Sequence, residues 1–282
     1  MQSLAESAFY ERVGRDSYQA TSATIGPWSA DAQHGGPPSA LAALALERHE
    51  PDSRQRLARV CVDILRPVPV GKLSLRTRMV RPGRRIALVE TVLEADGQEV
   101  LHARGWRTER PSGPVPQVRD GLPAGPVPET GDGEAPDIFT RQQHGYLAMI
   151  EWRFQPADFA AATGDQPAPS QQPTTQRPRA AWTRPRLPLL AGEESTPMAR
   201  TLLVADSGSG VGAALPASAF TFVNVDLMVI AQRDPVGEWL LLEASTQIGA
   251  DGTGLASTRL ADQAGSFGRG MQTLLVAPLA AG

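Results

Sequence analysis

Val60-Cys61-Val62-Asp63-Ile64 and Val223-Asn224-Val225-Asp226-Leu227 carry one alternating apolar pattern, written twice in a single chain. Such alternation marks a strand with one face on a core. Each copy runs on into a turn of matching chemistry, Pro69-Val70-Gly71-Lys72-Leu73 and Pro235-Val236-Gly237-Glu238-Trp239. A third pair, Leu93-Glu94-Ala95-Asp96-Gly97 and Leu260-Ala261-Asp262-Gln263-Ala264-Gly265, keeps the order. The three offsets, 163, 166 and 168 residues, differ by no more than short loop insertions. The chain reads as a duplicated domain, and a duplicated domain carries two candidate sites.

Outward from these strands the two copies read alike. In the first, Gln33-His34-Gly35-Gly36-Pro37-Pro38 leads into Ser39-Ala40-Leu41-Ala42-Ala43-Leu44-Ala45-Leu46-Glu47-Arg48. That run is made of strong helix formers and is apolar nearly all round, which predicts a buried helix. Its prolines suit the first turn, where a missing N–H is no loss. Residues 9–24 read as two short strands about Gly14-Arg15-Asp16, and long strands are expected over 57–67, 72–82, 85–96 and 98–108. Asp96-Gly97 marks a hairpin.

In the second copy, strands are expected over 149–154 and 180–184, then a helix started by Ser195-Thr196-Pro197 and ending near Ala205. Long strands follow over 219–231, 238–248, 254–262 and 267–277. Domains of 1–108 and 146–282 result, with 109–145 as a linker, because 109–137 is rich in proline and glycine. The stretch 157–178 lacks hydrophobic pattern and reads as an inserted surface loop or, alternatively, a lid.

At 282 residues the chain suits two domains of roughly 100–130 residues each. With 41% hydrophobic and 20% charged residues, the composition is that of a soluble globular protein. A net charge of −3 gives no electrostatic reason to expect nucleic acid or an anionic membrane as partner. No apolar run approaches the ~20 residues that span a bilayer. The start, Met1-Gln2-Ser3-Leu4-Ala5-Glu6, has no signal-peptide pattern, so the cytoplasm is the expected location. Cys61 is the single cysteine, which excludes an internal disulfide; it reads as a core residue rather than a nucleophile. His49, His102 and His144 are scattered without metal-ligand spacing. Gly208-Ser209-Gly210 fits neither a nucleophile elbow nor a dinucleotide loop. No metal or redox cofactor is expected.

Strand, buried helix, then several long antiparallel strands is the plan of a hotdog domain, an α+β fold whose curved sheet wraps one long helix. Two copies make a double hotdog, with edge strands of the two sheets expected to pair. On this plan the chain resembles the acyl-CoA thioesterase II (TesB-like) family. The resemblance is carried by His34-Gly35-Gly36-Pro37-Pro38, Val204-Ala205-Asp206-Ser207-Gly208 and Asn224-Val225-Asp226-Leu227. Arg233-Asp234-Pro235-Val236-Gly237-Glu238-Trp239 and Met271-Gln272-Thr273-Leu274-Leu275 complete it. It covers both copies apart from the linker and 157–178.

The resemblance implies hydrolysis of acyl-CoA or carrier-bound acyl thioesters. It further implies a water held jointly by an Asp, a Thr or Ser, and a Gln of the second copy. The Asp falls on Asp206 and the Gln on Gln272. The hydroxyl position falls on Asn224, a departure from the pattern, although an amide can still hydrogen-bond a water.

Thioester hydrolysis needs a nucleophilic water, a polarised carbonyl and an exit for the thiol. Asp206 is the candidate base, with Gln272 and Asn224 as water positioners. His34, Gly35 and Gly36 are the candidate substrate-binding group: amides at a helix start can stabilise an oxyanion, and glycine permits close approach. The site is expected at the boundary between the copies.

Plainer readings stand beside these. Asp206 could cap or turn the chain, Gln272 could face solvent, and His34 could be structural. Asn224 faces opposite to Val223 and Val225, so core valines would aim it at the domain boundary or at solvent. Asp63 and Asp226, equivalent in the two copies, read as structural partners of Arg66 or Arg233. Hydrolysis also has rivals: a hotdog dehydratase or cyclase of a natural-product pathway, or a non-catalytic acyl-ligand binding protein. The expected partner is a small acyl-bearing molecule, with homo-oligomerisation open.

Overall fold

The computed structural model describes residues 6–122, 125–141, 144–156 and 177–279. The inserted loop or lid expected at 157–178 lies, but for its last two residues, outside the described residues. The first half holds β1 (Tyr10–Arg12), β2 (Ser17–Ala20), helix α1 (Gly36–Arg48), β3 (Gln55–Ile64), β4 (Lys72–Arg81), β5 (Ile86–Ala95) and β6 (Gln98–Glu109). A short helix α2 (Asp137–Arg141) precedes β7 (Ile150–Phe154) and β8 (Arg179–Pro185). Then come helices α3 (Pro197–Ala205) and α4 (Gly208–Val211), and strands β9 (Phe220–Asn224) and β10 (Asp226–Ala231). The last strands are β11 (Leu240–Ile248), β12 (Thr253–Asp262) and β13 (Gly265–Pro278).

The strands form one sheet in the order β1-β2-β4-β5-β6-β3-β10-β13-β12-β11-β8-β7, with β9 also on β13. The order is palindromic: β1 answers β7, β2 answers β8, and so on inward to β3 and β10. The repeated strands meet at the centre, where Asp63 lies opposite Asp226, Val62 opposite Leu227 and Val60 opposite Val229. The duplication is therefore an internal dimer, and its seam hides two strand edges. The expected ion pairs of these aspartates do not form. Asp226 accepts from the Thr273 amide at 2.6 Å, Arg233 pairs with Asp262, and Arg66 bonds Gln98.

Helix α1 has no polar face because it is enclosed. Ala40, Leu41, Ala42, Ala43, Leu44 and Leu46 are all buried, between strands of the first half and α3. The two helices run antiparallel. Gly36 at the start of α1 packs on the Leu203 carbonyl, while Glu47 near its end accepts from Thr196 Oγ1 at the start of α3, at 2.5 Å. Arg107 donates to the carbonyls of Leu46, Glu47, His49 and Glu50, which satisfies the end of α1. One core runs through both halves, from Leu41 and Val60 to Leu202, Val229 and Phe267.

Three expectations need correction. The strand expected over 219–231 breaks at Val225. There the Asp226 carboxylate takes the Thr273 amide, and the alternation slips by one residue. Cys61 is not in the core. Val60 and Val62 face inward, which leaves Cys61 half-buried on the outer face, with Arg59 Nη2 at 2.8 Å from its sulfur. The segment 109–145 is more than a linker, since α2 buries Ile138 against Ala217, Phe222, Leu274 and Val276. Asp137 accepts from the amides of Ala217 and Ser218. Among the described residues no helix is long and apolar enough to cross a membrane.

Candidate active site

Asp206 is the residue after the last turn of α3. Because the helices are antiparallel, this end of α3 abuts the start of α1, so the carboxylate of one half lies against the helix start of the other. Asp206 Oδ2 is 3.0 Å from His34 Nδ1. A Cβ on Gly35 would stand only 2.7 Å from the same oxygen, so the carboxylate can come this close only over a glycine. A helix C-terminus repels a carboxylate and a helix N-terminus attracts one. At this junction the N-terminus of α1 offsets the C-terminus of α3.

Asp206 is 3% exposed, and a carboxylate so buried must be met by donors. Asn224 Nδ2 donates to Oδ1 at 2.7 Å. Gln272 Nε2 donates to the Asp206 backbone carbonyl at 2.9 Å and lies 3.4 Å from Oδ1. Asp206, Asn224 and Gln272 thus converge. Asn224 points inward because Val223 and Val225, which face the other way, lie exposed and are not core valines. Gln272, at 2% exposure, does not face solvent. Its other end accepts from the Ser209 amide at 2.9 Å, so it anchors Asp206 and α4 from beneath.

The His34 ring stacks on Tyr146, with centroids 3.8 Å apart and planes 12° from parallel. The Tyr146 hydroxyl donates to the Leu203 carbonyl at 2.7 Å and shares a hydrogen bond with Ser207 Oγ. Burial lowers the pKa of His34, and the Asp206 charge opposes that shift. Burial raises that of Tyr146, which keeps it a neutral donor. Nδ1 of His34 has two neighbours, the carboxylate and the Gly36 amide at 3.1 Å. It cannot donate to one while accepting from the other. The state of Nδ1 decides which contact is a hydrogen bond: as N–H it donates to Asp206, and as a lone pair it accepts from the Gly36 amide.

The start of α1 offers fewer donors than a helix usually does. Pro37 and Pro38 have no N–H, the Ser39 amide returns to the Gly35 carbonyl, and the Gly36 amide goes to His34. The Gly35 amide has no acceptor among the described residues, and Gly35 lines the cleft. Of the two amides expected to meet substrate, that of Gly36 is taken up by His34. Gly36 is a glycine because α3 packs on it.

These groups close the polar end of a cleft of about 620 Å³ built from both halves. Such a volume is ordinary for a small-molecule site. His34, Asp206, Ser209 and Asn224 lie at that end; Trp28, Leu65, Phe139, Phe222 and Val225 supply apolar wall. Trp28 meets Phe222 edge to face at 5.1 Å. Tyr146 and Phe139 went unnoticed in the sequence, and Ser209 was weighed only as a nucleophile elbow. Tyr146 and Phe139 sit in or just after the proline-rich stretch, with no periodicity to mark them. Among the described residues no cluster of His, Cys, Asp and Glu is placed to hold a metal ion.

Residues 24–108 match the family model of the acyl-CoA thioesterase N-terminal domain, and residues 121–276 that of the acyl-CoA thioesterase C-terminal domain. No curated protein sequence matches the chain. Among solved structures, the fold is similar to a Thermobifida fusca YX protein assigned as a thioesterase II, at 19% identity and TM-score 0.69, covering 96% of each chain. It is also similar to the acyl-CoA thioesterase II TesB2 of Mycobacterium marinum, at 16% identity and TM-score 0.67, covering 97% of this chain and 96% of that one. A conserved hot dog fold protein from Alicyclobacillus acidocaldarius matches at 16% identity and TM-score 0.67, covering 96% of each.

Proposed function

Because the chain belongs to the acyl-CoA thioesterase family, both of whose domains it carries, we infer that Asp206 and His34 form the acid–base pair of its thioester hydrolysis. In this reading the acyl group lies along the apolar wall, with its carbonyl at the polar end. Asp206, held by Asn224 and Gln272, takes a proton from water as the water oxygen attacks the carbonyl carbon. The Gly35 amide, at the positive end of α1, stabilises the oxyanion. Collapse breaks the C–S bond, and the proton held between Asp206 and His34 passes to the departing thiolate. Charge and proton balance without another reactant.

Asn224 and Gln272 act through Asp206. Asn224 also lines the cleft and can orient the water, whereas Gln272 is a positioning residue beneath. The observation that carries the reading is the convergence on one buried carboxylate of donors from β9, β13 and the loop before α1, where an apolar cleft ends. Thiol release from a series of acyl-CoA substrates tests it. Asp206→Asn is expected to lower kcat by about 10²–10⁴-fold while the protein stays folded. Turnover by that variant at the wild-type rate would refute the assignment.

A further inference from the structure

The palindromic sheet gives the molecule a second place built like the catalytic cleft. The loop from β8 to α3 answers the loop from β2 to α1, which carries His34 and Gly35. At this counterpart lies a separate cavity of about 230 Å³, lined by Arg184, Arg186, Arg200, Glu194, Ser195 and Glu238 among others. Its chemistry has drifted from an acid beside a histidine to a group of guanidinium ions.

The three arginines differ in what holds them. Arg184 is engaged, with Glu151 at 2.8 Å, Glu238 at 3.2 Å and the Trp239 ring beneath it. Arg186 and Arg200 make no ion pair among the described residues. Arg200 stands early in α3, where the helix dipole disfavours a cation. Its Nε is buried with no hydrogen-bond partner among the described residues. Burial lowers its pKa, and Glu238, Glu194 and Asp262 act on it only as distant charges. An aliphatic side chain would fill this space without leaving a buried donor unsatisfied. With Glu151 on Arg184 and Glu194 and Glu238 in the lining, three carboxylates balance three guanidinium ions, so the pointer to an anion is the Arg200 and Arg186 donors that no ion pair among the described residues takes up rather than a net charge.

We propose that this cavity binds a phosphate-type oxyanion, which Arg200 and Arg186 grip through paired N–H groups. The proposal is independent of the roles assigned to Asp206 and His34.

Calorimetric titration of the full chain with inorganic phosphate, at constant ionic strength against chloride, tests it. One saturable site per chain is expected in the wild type and in Asp206→Asn, weakened at least about tenfold in Arg186→Gln and in Arg200→Gln. Absence of saturable binding would overturn the proposal, as would wild-type affinity in both arginine variants. Loss of binding in Asp206→Asn would place the ion in the catalytic cleft instead and overturn it equally. Arg186 is exposed, so its variant remains informative should Arg200→Gln fail to fold. Competition by coenzyme A but not by its 3′-dephospho form assigns the site to a ribose phosphate. Failure of both to compete assigns it to free phosphate.

Discussion

Gln272 shows how much one side chain can hold in place from beneath a site. Both ends of its amide are used, one by the Ser209 N–H and the other by Asp206. Gln272→Ala strands a buried N–H and loosens the carboxylate. It should cost about 1–3 kcal/mol of stability in chemical denaturation and lower kcat in the same protein. Asn224→Thr returns a hydroxyl to the position where the resemblance expects one. Since it keeps a donor near Oδ1, it should retain hydrolysis, whereas Asn224→Leu should not; thiol release compares the two. At this scale the sequence was legible through family likeness for Asp206 and Gln272. The direction of Asn224 was not, because it depends on a one-residue slip at Val225 that a side-chain carboxylate creates. Tyr146 was invisible, since stacking on a residue 112 positions earlier leaves no local pattern.

The helix pair joins the two ends of the argument. At one end Gly36 meets the Leu203 carbonyl, and a methyl group there has nowhere to go. Gly36→Ala should therefore destabilise by about 1–3 kcal/mol in thermal unfolding, through forced separation of α1 and α3. At the other end Glu47 is half-buried, and desolvation raises its pKa to about 7 despite the Thr196 hydrogen bond and the charges of Arg107 and Arg48; Asp234 adds to the rise. A folded value above the unfolded one means the folded state binds the proton more tightly. That contribution is fully present below about 4.5 and is lost as pH rises through 7, a change of at most about 3 kcal/mol. Glu47→Gln should leave stability unchanged near pH 4 and raise it near pH 8, as urea melts at the two values would show. The helix and most strands could be read from composition and alternation. The pairing of the helices end to end could not, because it follows from tertiary contact alone.

Across the whole molecule, the proposed catalytic site is divided between halves that the sequence presents as separate domains. His34 and Gly35 come from the first, while Asp206, Asn224 and Gln272 come from the second. Each half expressed alone should release no thiol from acyl-CoA, and the two expressed together should recover activity through the β3–β10 seam and the shared core. The repeat made this architecture readable, because equivalent strands at nearly constant offset imply a twofold arrangement. Which of the two equivalent places the proposal assigns to catalysis rests only on the side chains that surround each.

The most direct test is a double-mutant cycle on Asp206 and His34, with kcat for acyl-CoA hydrolysis measured in Asp206→Asn, His34→Gln and the combined variant. If the two residues share one proton across the seam, the double variant should be hardly slower than the worse single variant, because groups acting as a unit are not additive. Losses that multiply fully would mean that each acts alone, and would contradict the account.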